Sequence, residues 1–406
     1  MTTNLFYLIQ TLERQISINP KNNMKRVKDA IAYFNLDFSN IKKIHVAGTN
    51  GKGSVCKYLT EILTLAGYKV GTFVSPYLKV FNERILLNNE LISNQDLKLY
   101  LEKILKYNDT LDEKMSFFEL LTIMAFLYFK DQEVDVIIIE VGIGGKLDVT
   151  NTINYDLSLV TNIGTDHIER LGPNEIDILN NKIGILKENG TMFTTMDLKH
   201  KDYVTDYARK INAQVFFVDK PVKLSDNPLR FILEGNQYEL KMIGEYQLFN
   251  AALAIKGINY LFPNIKYETI SKALCNAKWA GRLELINDTP KIYLDAAHNK
   301  EAAIALRESI EILFPNQKIV SIISILKGKD YQSFITELNK FSKRIIITSF
   351  PDPRLADLDK IKTDFPKIEL IKDFNTALKE INNPCETYLI TGSIHFLGYF
   401  LNNFKK

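Results

Sequence analysis

The ten residues His45-Val46-Ala47-Gly48-Thr49-Asn50-Gly51-Lys52-Gly53-Ser54 hold the densest chemistry in the chain. They follow an apolar, β-branched run and open a helical pattern. Glycines let successive backbone N–H groups turn inward around a polyphosphate, and a helix N-terminus adds partial positive charge. Lys52 supplies a mobile ammonium for outer phosphates, and a Ser hydroxyl takes a Mg²⁺ position. The spacing departs from G-x-x-x-x-G-K-[ST], because Gly53 separates Lys52 from Ser54. The plain alternative is a Gly-rich strand-to-helix turn with no ligand. Three glycines flanking one lysine argue against it.

Further candidates sit at later strand ends. Glu140 closes the apolar run 134–141 and precedes Gly142-Ile143-Gly144-Gly145. A carboxylate there is costly to bury unless it is paired or binds a cation, and Mg²⁺ is the natural partner. A solvated strand-end Glu is the alternative. Asp166-His167 follows the next strand, and the chain has only five histidines. An isolated His is more often structural than a ligand. Lys182 reads as a surface helix lysine. Asp295, in Asp295-Ala296-Ala297-His298-Asn299, either accepts hydrogen bonds from a nucleotide or caps the next helix. Arg282 suits phosphate, because its planar fork pairs two oxygens; the alternative is a salt bridge between domains.

The elements that must position these groups alternate between short strands and longer helices. Strands are expected at 41–47, 69–73, 134–141 and 156–161, with helices at 54–66 and 117–129. This βαβ rhythm indicates an α/β protein with a mostly parallel sheet flanked by helices. It weakens between Gly190 and Met242, where strands at 214–218, 230–233 and 237–242 suggest a small antiparallel patch. A helix is expected at 247–260. The rhythm restarts after Gly281, with strands at 292–295, 318–325, 344–349 and 386–391. Two domains result, 1–281 and 282–406.

The chain has 406 residues, with 51 Lys+Arg against 48 Asp+Glu, a net charge of +3. That balance argues against a nucleic-acid arm or a polybasic membrane surface. Cys56, Cys275 and Cys385 lie far apart and form no C-x-x-C pair, so neither a disulfide framework nor a thiolate zinc site is expected. The N-terminus lacks the pattern of a signal peptide, and no apolar run is long enough to span a bilayer. A cytoplasmic protein fits.

Taken together, these segments resemble the folylpolyglutamate synthase/dihydrofolate synthase family of the Mur ligase superfamily. The likeness rests on 45–54, Ser75-Pro76, Glu83-Arg84-Ile85, Phe117-Phe118-Glu119, and 140–151 with its Leu147-Asp148-Val149-Thr150-Asn151 end. It continues through Asp166-His167, Lys182-Ile183-Gly184-Ile185, Asn250-Ala251-Ala252, Gly281-Arg282, 295–299 and Thr391-Gly392-Ser393. Their shared order and spacing are specific. The resemblance implies an N-terminal P-loop NTPase-like domain and a C-terminal Rossmann-like domain of Mur ligase type.

The resemblance also implies an ATP-dependent ligase that adds L-glutamate to dihydropteroate, and to reduced folates, through an acyl phosphate. By that carry-over, Gly48, Thr49, Asn50, Gly51, Lys52, Gly53, Ser54, Asn250, Arg282 and Asp295 bind ATP. Ser54 and Glu140 hold a first Mg²⁺. His167 and a carbamylated Lys182 reach a second, so Lys52, His167 and Lys182 are the catalytic set. Arg84, Phe118 and Asp148 flank the pterin, and His298 and Ser393 place glutamate. Asn181 and Ile183 depart from the family's usual Glu and Ala. Neither nucleic acid nor membrane is an expected partner, and a monomer is. Three other readings are weighed: a member with only one of the two activities, a Mur-type ligase of cell-wall precursors, and a nucleotide-binding protein without catalysis.

Overall fold

The computed structural model describes residues 4–16, 19–164, 166 and 168–404. Within them the chain forms two compact units. The first comprises 1–76, 80–219 and 250–273; the second comprises 77–79, 220–249 and 274–406. The chain therefore passes between units several times.

The first unit is built on eight strands: β1 (Lys42–Ala47), β2 (Val70–Phe73), β3 (Ile85–Leu87), β4 (Glu90–Leu91), β5 (Val136–Glu140), β6 (Leu157–Val160), β7 (Thr191–Thr194) and β8 (Gln214–Phe217). Their order is β4-β3-β2-β5-β1-β6-β7-β8. From β2 to β8 every neighbouring pair is parallel, while β3 and β4 add an antiparallel edge. The β5 run Val136-Ile137-Ile138-Ile139-Glu140 is buried throughout. Helices on both faces demand such continuous β-branched runs. The helix Phe117–Asp131 buries every residue from Glu119 to Phe129, as its apolar faces require.

Where the rhythm weakens, the structure corrects the expectation. β8 is not part of an antiparallel patch. It extends the parallel sheet beside β7, and the helix Lys201–Lys210 makes the crossover that parallel pairing needs. The patch itself is three-stranded, made by β9 (Val222–Asp226), β10 (Leu229–Leu233) and β11 (Asn236–Leu240), and it belongs to the second unit.

The second unit's main sheet contains β12 (Glu284–Asp288), β13 (Lys291–Asp295), β14 (Ile319–Ile323), β15 (Ser342–Ile347), β16 (Glu369–Leu370) and β17 (Thr387–Thr391). Its order is β12-β13-β17-β14-β15-β16, parallel except for the β12–β13 hairpin. Two apolar layers cover it. One is centred on Leu306, Ile323 and Phe334, the other on Ile322, Ile390 and Phe396.

Candidate active site

In an open parallel sheet, ligands gather beyond the carboxyl ends of the strands. In the first unit β5, β1 and β6 are neighbours running the same way, with Val46 opposite Glu140. Their exits carry the phosphate loop, Glu140 with the glycine loop 142–145, and the segment 161–164. Residues far apart in sequence thus share one edge.

The helix after β1 runs Lys52–Leu65, opening two residues earlier than expected, with Gly51 as its N-cap at φ 88°. A Cβ on Gly51 would lie 2.3 Å from Asn250 Oδ1, so Asn250 covers the loop. A Cβ on Gly48 would collide with Thr161 Oγ1. Thr161 donates to Asn50 O at 2.6 Å, and Asn162 accepts from the Thr49 amide at 3.0 Å and the Asn50 amide at 2.9 Å. Thr161 and Asn162 thus brace the loop. Sequence reasoning passed over them, because nothing in a β6 exit marks it as the phosphate loop's neighbour. Both braced amides point at protein, which leaves the first-turn amides from Lys52 onward to face an anion. Lys52 Nζ curls back to Gly48 O and Thr49 O at 3.1 and 3.2 Å.

Glu140 is 5% exposed and accepts from the Ser75 amide at 3.0 Å, so it is not a solvated strand end. Ser54 is 1% exposed. Burial pushes the Cys56 thiol well up, Glu140 adds to that rise and Lys52 opposes it, so all three share one electrostatic field. The Ser54 hydroxyl and the Glu140 carboxylate are hard oxygen donors at adjacent strand exits, which fits Mg²⁺. Among the described residues, no cluster of three or more His, Cys, Asp or Glu could hold a metal by itself. His167 lies outside the described residues.

Lys182 overturns its reading as a surface lysine. It is 4% exposed in the helix Glu175–Ile183. Burial, helped by the charge of Lys52 and opposed by Asp166, drives its ammonium down to about 7. The glycine loop packs on this helix: a Cβ on Gly145 would lie 2.8 Å from Asn181 O and 3.1 Å from Lys182 O. Asn181 donates to Leu171 O at 2.9 Å and Asp177 O at 3.1 Å, bonds that a carboxylate could not make.

At its other end the loop meets Phe118 and Asp148. A Cβ on Gly142 would sit 2.5 Å from Phe118 Cζ and 3.1 Å from Asp148 Oδ2. Asp148 is buried, which raises its carboxyl. Thr150 and the Ile143 and Gly142 amides counter that rise. Arg84 is buried, with its guanidinium 5.4 Å from the Phe81 ring centre and 5.2 Å from that of Phe117. The helix that presents Phe118 is clamped at its start. Glu119 caps Ser116 and receives Arg26 Nε and Nη2 at 2.8 and 3.1 Å.

In the second unit β13, β17 and β14 are the adjacent parallel strands. Asp295 pairs in register with Thr391 and accepts from the Leu283 and Ala297 amides, both at 2.9 Å. It does not cap the following helix. Asn299 does, accepting from the Ala302 amide at 2.9 Å. The half-buried Tyr246 side chain also bonds Asp295 through its phenol, and Arg282 lies in the field of both. His298 Nδ1 is 2.8 Å from Ala296 O. Ser393 is buried at a helix N-cap, and its hydroxyl makes no capping bond there. Gly392 turns the chain at φ 120° against Ser324 O.

Known proteins resemble the chain along most of its length. Residues 46–257 match the Mur ligase middle domain, and 281–394 match the Mur ligase, glutamate ligase domain. A dihydrofolate synthase/folylpolyglutamate synthase of Bacillus subtilis is 33% identical, over 95% of each chain. The folylpolyglutamate synthase of Thermotoga maritima superposes with a TM-score of 0.83 at 31% identity, over 99% of this chain and 97% of that one. A bifunctional folylpolyglutamate synthase/dihydrofolate synthase, solved with Mn, AMPPNP and L-glutamate bound, gives a TM-score of 0.88 at 26% identity, over 99% and 98%.

Proposed function

This chain belongs to the dihydrofolate synthase/folylpolyglutamate synthase family of Mur ligases, and from that premise we propose that it joins L-glutamate to dihydropteroate and also to reduced folates. It is an ADP-forming carboxylate–amine ligase. ATP phosphorylates the acceptor's carboxylate, since a free carboxylate is a poor electrophile and phosphate a good leaving group. The amine of glutamate attacks the acyl phosphate, and a tetrahedral intermediate collapses to the amide with loss of phosphate. Segment 1–281 carries ATP binding and phosphoryl transfer, and 282–406 carries ligation.

The observation that carries this reading is the meeting of the phosphate loop, buried Glu140 and buried Lys182 around the β1, β5 and β6 exits. The first-turn amides from Lys52 through Gly53 to Ser54 and the Lys52 ammonium hold the phosphates, with Gly51 turning the loop into the helix. Gly48, Thr49 and Asn50 shape the loop, and Asn250 covers it. Arg282 and Asp295 hold the rest of the nucleotide. Ser54 and Glu140 hold a Mg²⁺ ion, which neutralises phosphate charge during transfer. Phe118 offers an aromatic face to the pterin, with Arg84 and Asp148 beside it; His298 and Ser393 receive glutamate.

An amine held near 7 is neutral in about half of the molecules at neutral pH, and that neutral form can add CO₂, releasing a proton. The resulting carbamate at Lys182 would be a carboxylate-like ligand for a second metal, together with His167. Lys182→Ala should lose turnover, with partial recovery on adding short carboxylates; normal activity would reject a required carbamate. We also place the protein in the cytoplasm as a monomer. Its three cysteines are unpaired. No helix among the described residues is long and apolar enough to cross a membrane.

ADP release with ATP, Mg²⁺ and L-glutamate tests the function, comparing dihydropteroate with tetrahydrofolate. Turnover with both is expected. Turnover with one alone would restrict the chain to that activity, and turnover with neither would sink the reading.

A further inference from the structure

We propose that His45, Thr150 and Asp148 form a hydrogen-bond relay that positions the Gly142–Gly145 loop and so sets the affinity for the pteroate acceptor. The inference rests on the reading that this loop and Phe118 line the acceptor's place.

Thr150 Oγ1 donates its only proton to Asp148 Oδ1 at 2.6 Å. The hydroxyl can therefore only accept from His45 Nε2, 2.8 Å away. His45 is fixed as the Nε2–H tautomer, and its Nδ1 is a buried acceptor with no hydrogen-bond partner among the described residues. Burial, with the positive charge of Lys187, holds this imidazole well below its usual range and neutral.

At the far end, Asp148 Oδ1 accepts the Thr150 amide at 3.0 Å and Oδ2 the Ile143 amide at 2.9 Å. The carboxylate therefore spends its lone pairs on shaping the loop beside Phe118. Tyr155 completes the device. Its ring stacks on His45 at 4.0 Å between centres, and its hydroxyl donates to Thr150 O at 2.6 Å. A fully buried ring stacked on tyrosine would be better served by phenylalanine, which strands no polar atom. The histidine is needed for the one proton it gives Thr150. His45 and Thr150 are positioning residues, acting through Asp148 and the loop.

The test is a KM comparison on the full-length enzyme. Thr150→Val should raise KM for dihydropteroate about tenfold, leaving kcat and the KM values for ATP and glutamate within about twofold. Thr150→Ser should restore it. His45→Leu should match Thr150→Val, and the double variant should be no worse than either, because the three act as one unit. Equal rises in all three KM values, additive effects, or failure of serine to rescue would overturn the proposal. Should Thr150→Val not fold, His45→Gln, which keeps a side-chain N–H donor, against His45→Leu makes the same comparison. Nitrogen NMR reads the relay independently of any substrate. The wild type should show a protonated Nε2 and a bare Nδ1 at His45, and an Nδ1–H or imidazolium signal would overturn it. If the wild type turns over no pteroate or folate, the functional reading fails and the acceptor part of this proposal falls with it. The tautomer signal would still report on the relay alone.

Discussion

A lysine ammonium loses its hydration shell on burial, so Lys182 exists in this fold at a cost. Its ordinary value is 10.5, and the fold holds it at about 7. Between those values the unfolded chain binds one more proton than the folded one, so stability rises with pH across that window. Below about 7 the penalty is fully present. Lys182→Met removes it. In metal-free, CO₂-free buffer the variant should resist urea better than the wild type near pH 7, with the advantage shrinking as pH rises towards 10. Its ligase activity should be lost. A variant less stable than the wild type at pH 7 would contradict the burial cost. Lys52 makes the complementary case. Its substitution by Ala should leave folding intact while lowering kcat by about 10²–10³-fold, the usual cost of removing one preorganised charge from a transfer site. Wild-type turnover would sink the assignment.

At the scale of elements, two devices deliver these side chains. The first is close backbone approach. Gly51→Ala would place a methyl 2.3 Å from Asn250 Oδ1 at φ 88°, a conformation costing a non-glycine residue about 1–3 kcal/mol. Calorimetric ATP binding should weaken at least tenfold; unchanged affinity would mean that Asn250 and the loop can part freely. The second device is the clamp on the helix carrying Phe118. Glu119 is 1% exposed and Arg26 is 6% exposed, so Arg26→Met leaves a buried carboxylate without its cation, a loss of about 3–5 kcal/mol. Urea denaturation should show that loss, with part of it recovered when Glu119 is also replaced by an apolar residue.

At the scale of the whole molecule, the second unit draws on three stretches of chain. Leu78 is part of the apolar layer around Ile390 and Phe396, and Ile243 packs against the layer around Leu306. A Cβ on Gly398 would meet Leu78 O at 1.8 Å. A fragment of residues 282–406 therefore lacks pieces of its own core. It should unfold at a lower temperature than the intact chain and bind a hydrophobic dye, and a fragment as stable as the intact chain would show the outlying stretches to be dispensable.

The phosphate loop and the central strands were legible because their signals are local: glycines beside a lysine, and β-branched runs long enough to need two covered faces. The order and spacing of the motif segments along this one chain carried the resemblance to the family and, through it, the reaction. Burial was not legible. Lys182 reads as a surface lysine on its own helix, and only the packing of that helix into the unit, with the glycine loop against its backbone, shows it to be buried. Likewise Asp295 could have capped a helix until Asn299 was seen to do so. The bracing of the loop by Thr161 and Asn162, the crossover that makes β8 parallel, and the His45–Thr150–Asp148 chain join residues that the sequence separates widely. A hydrogen bond has no periodicity, so such contacts appear only once the strands are placed side by side.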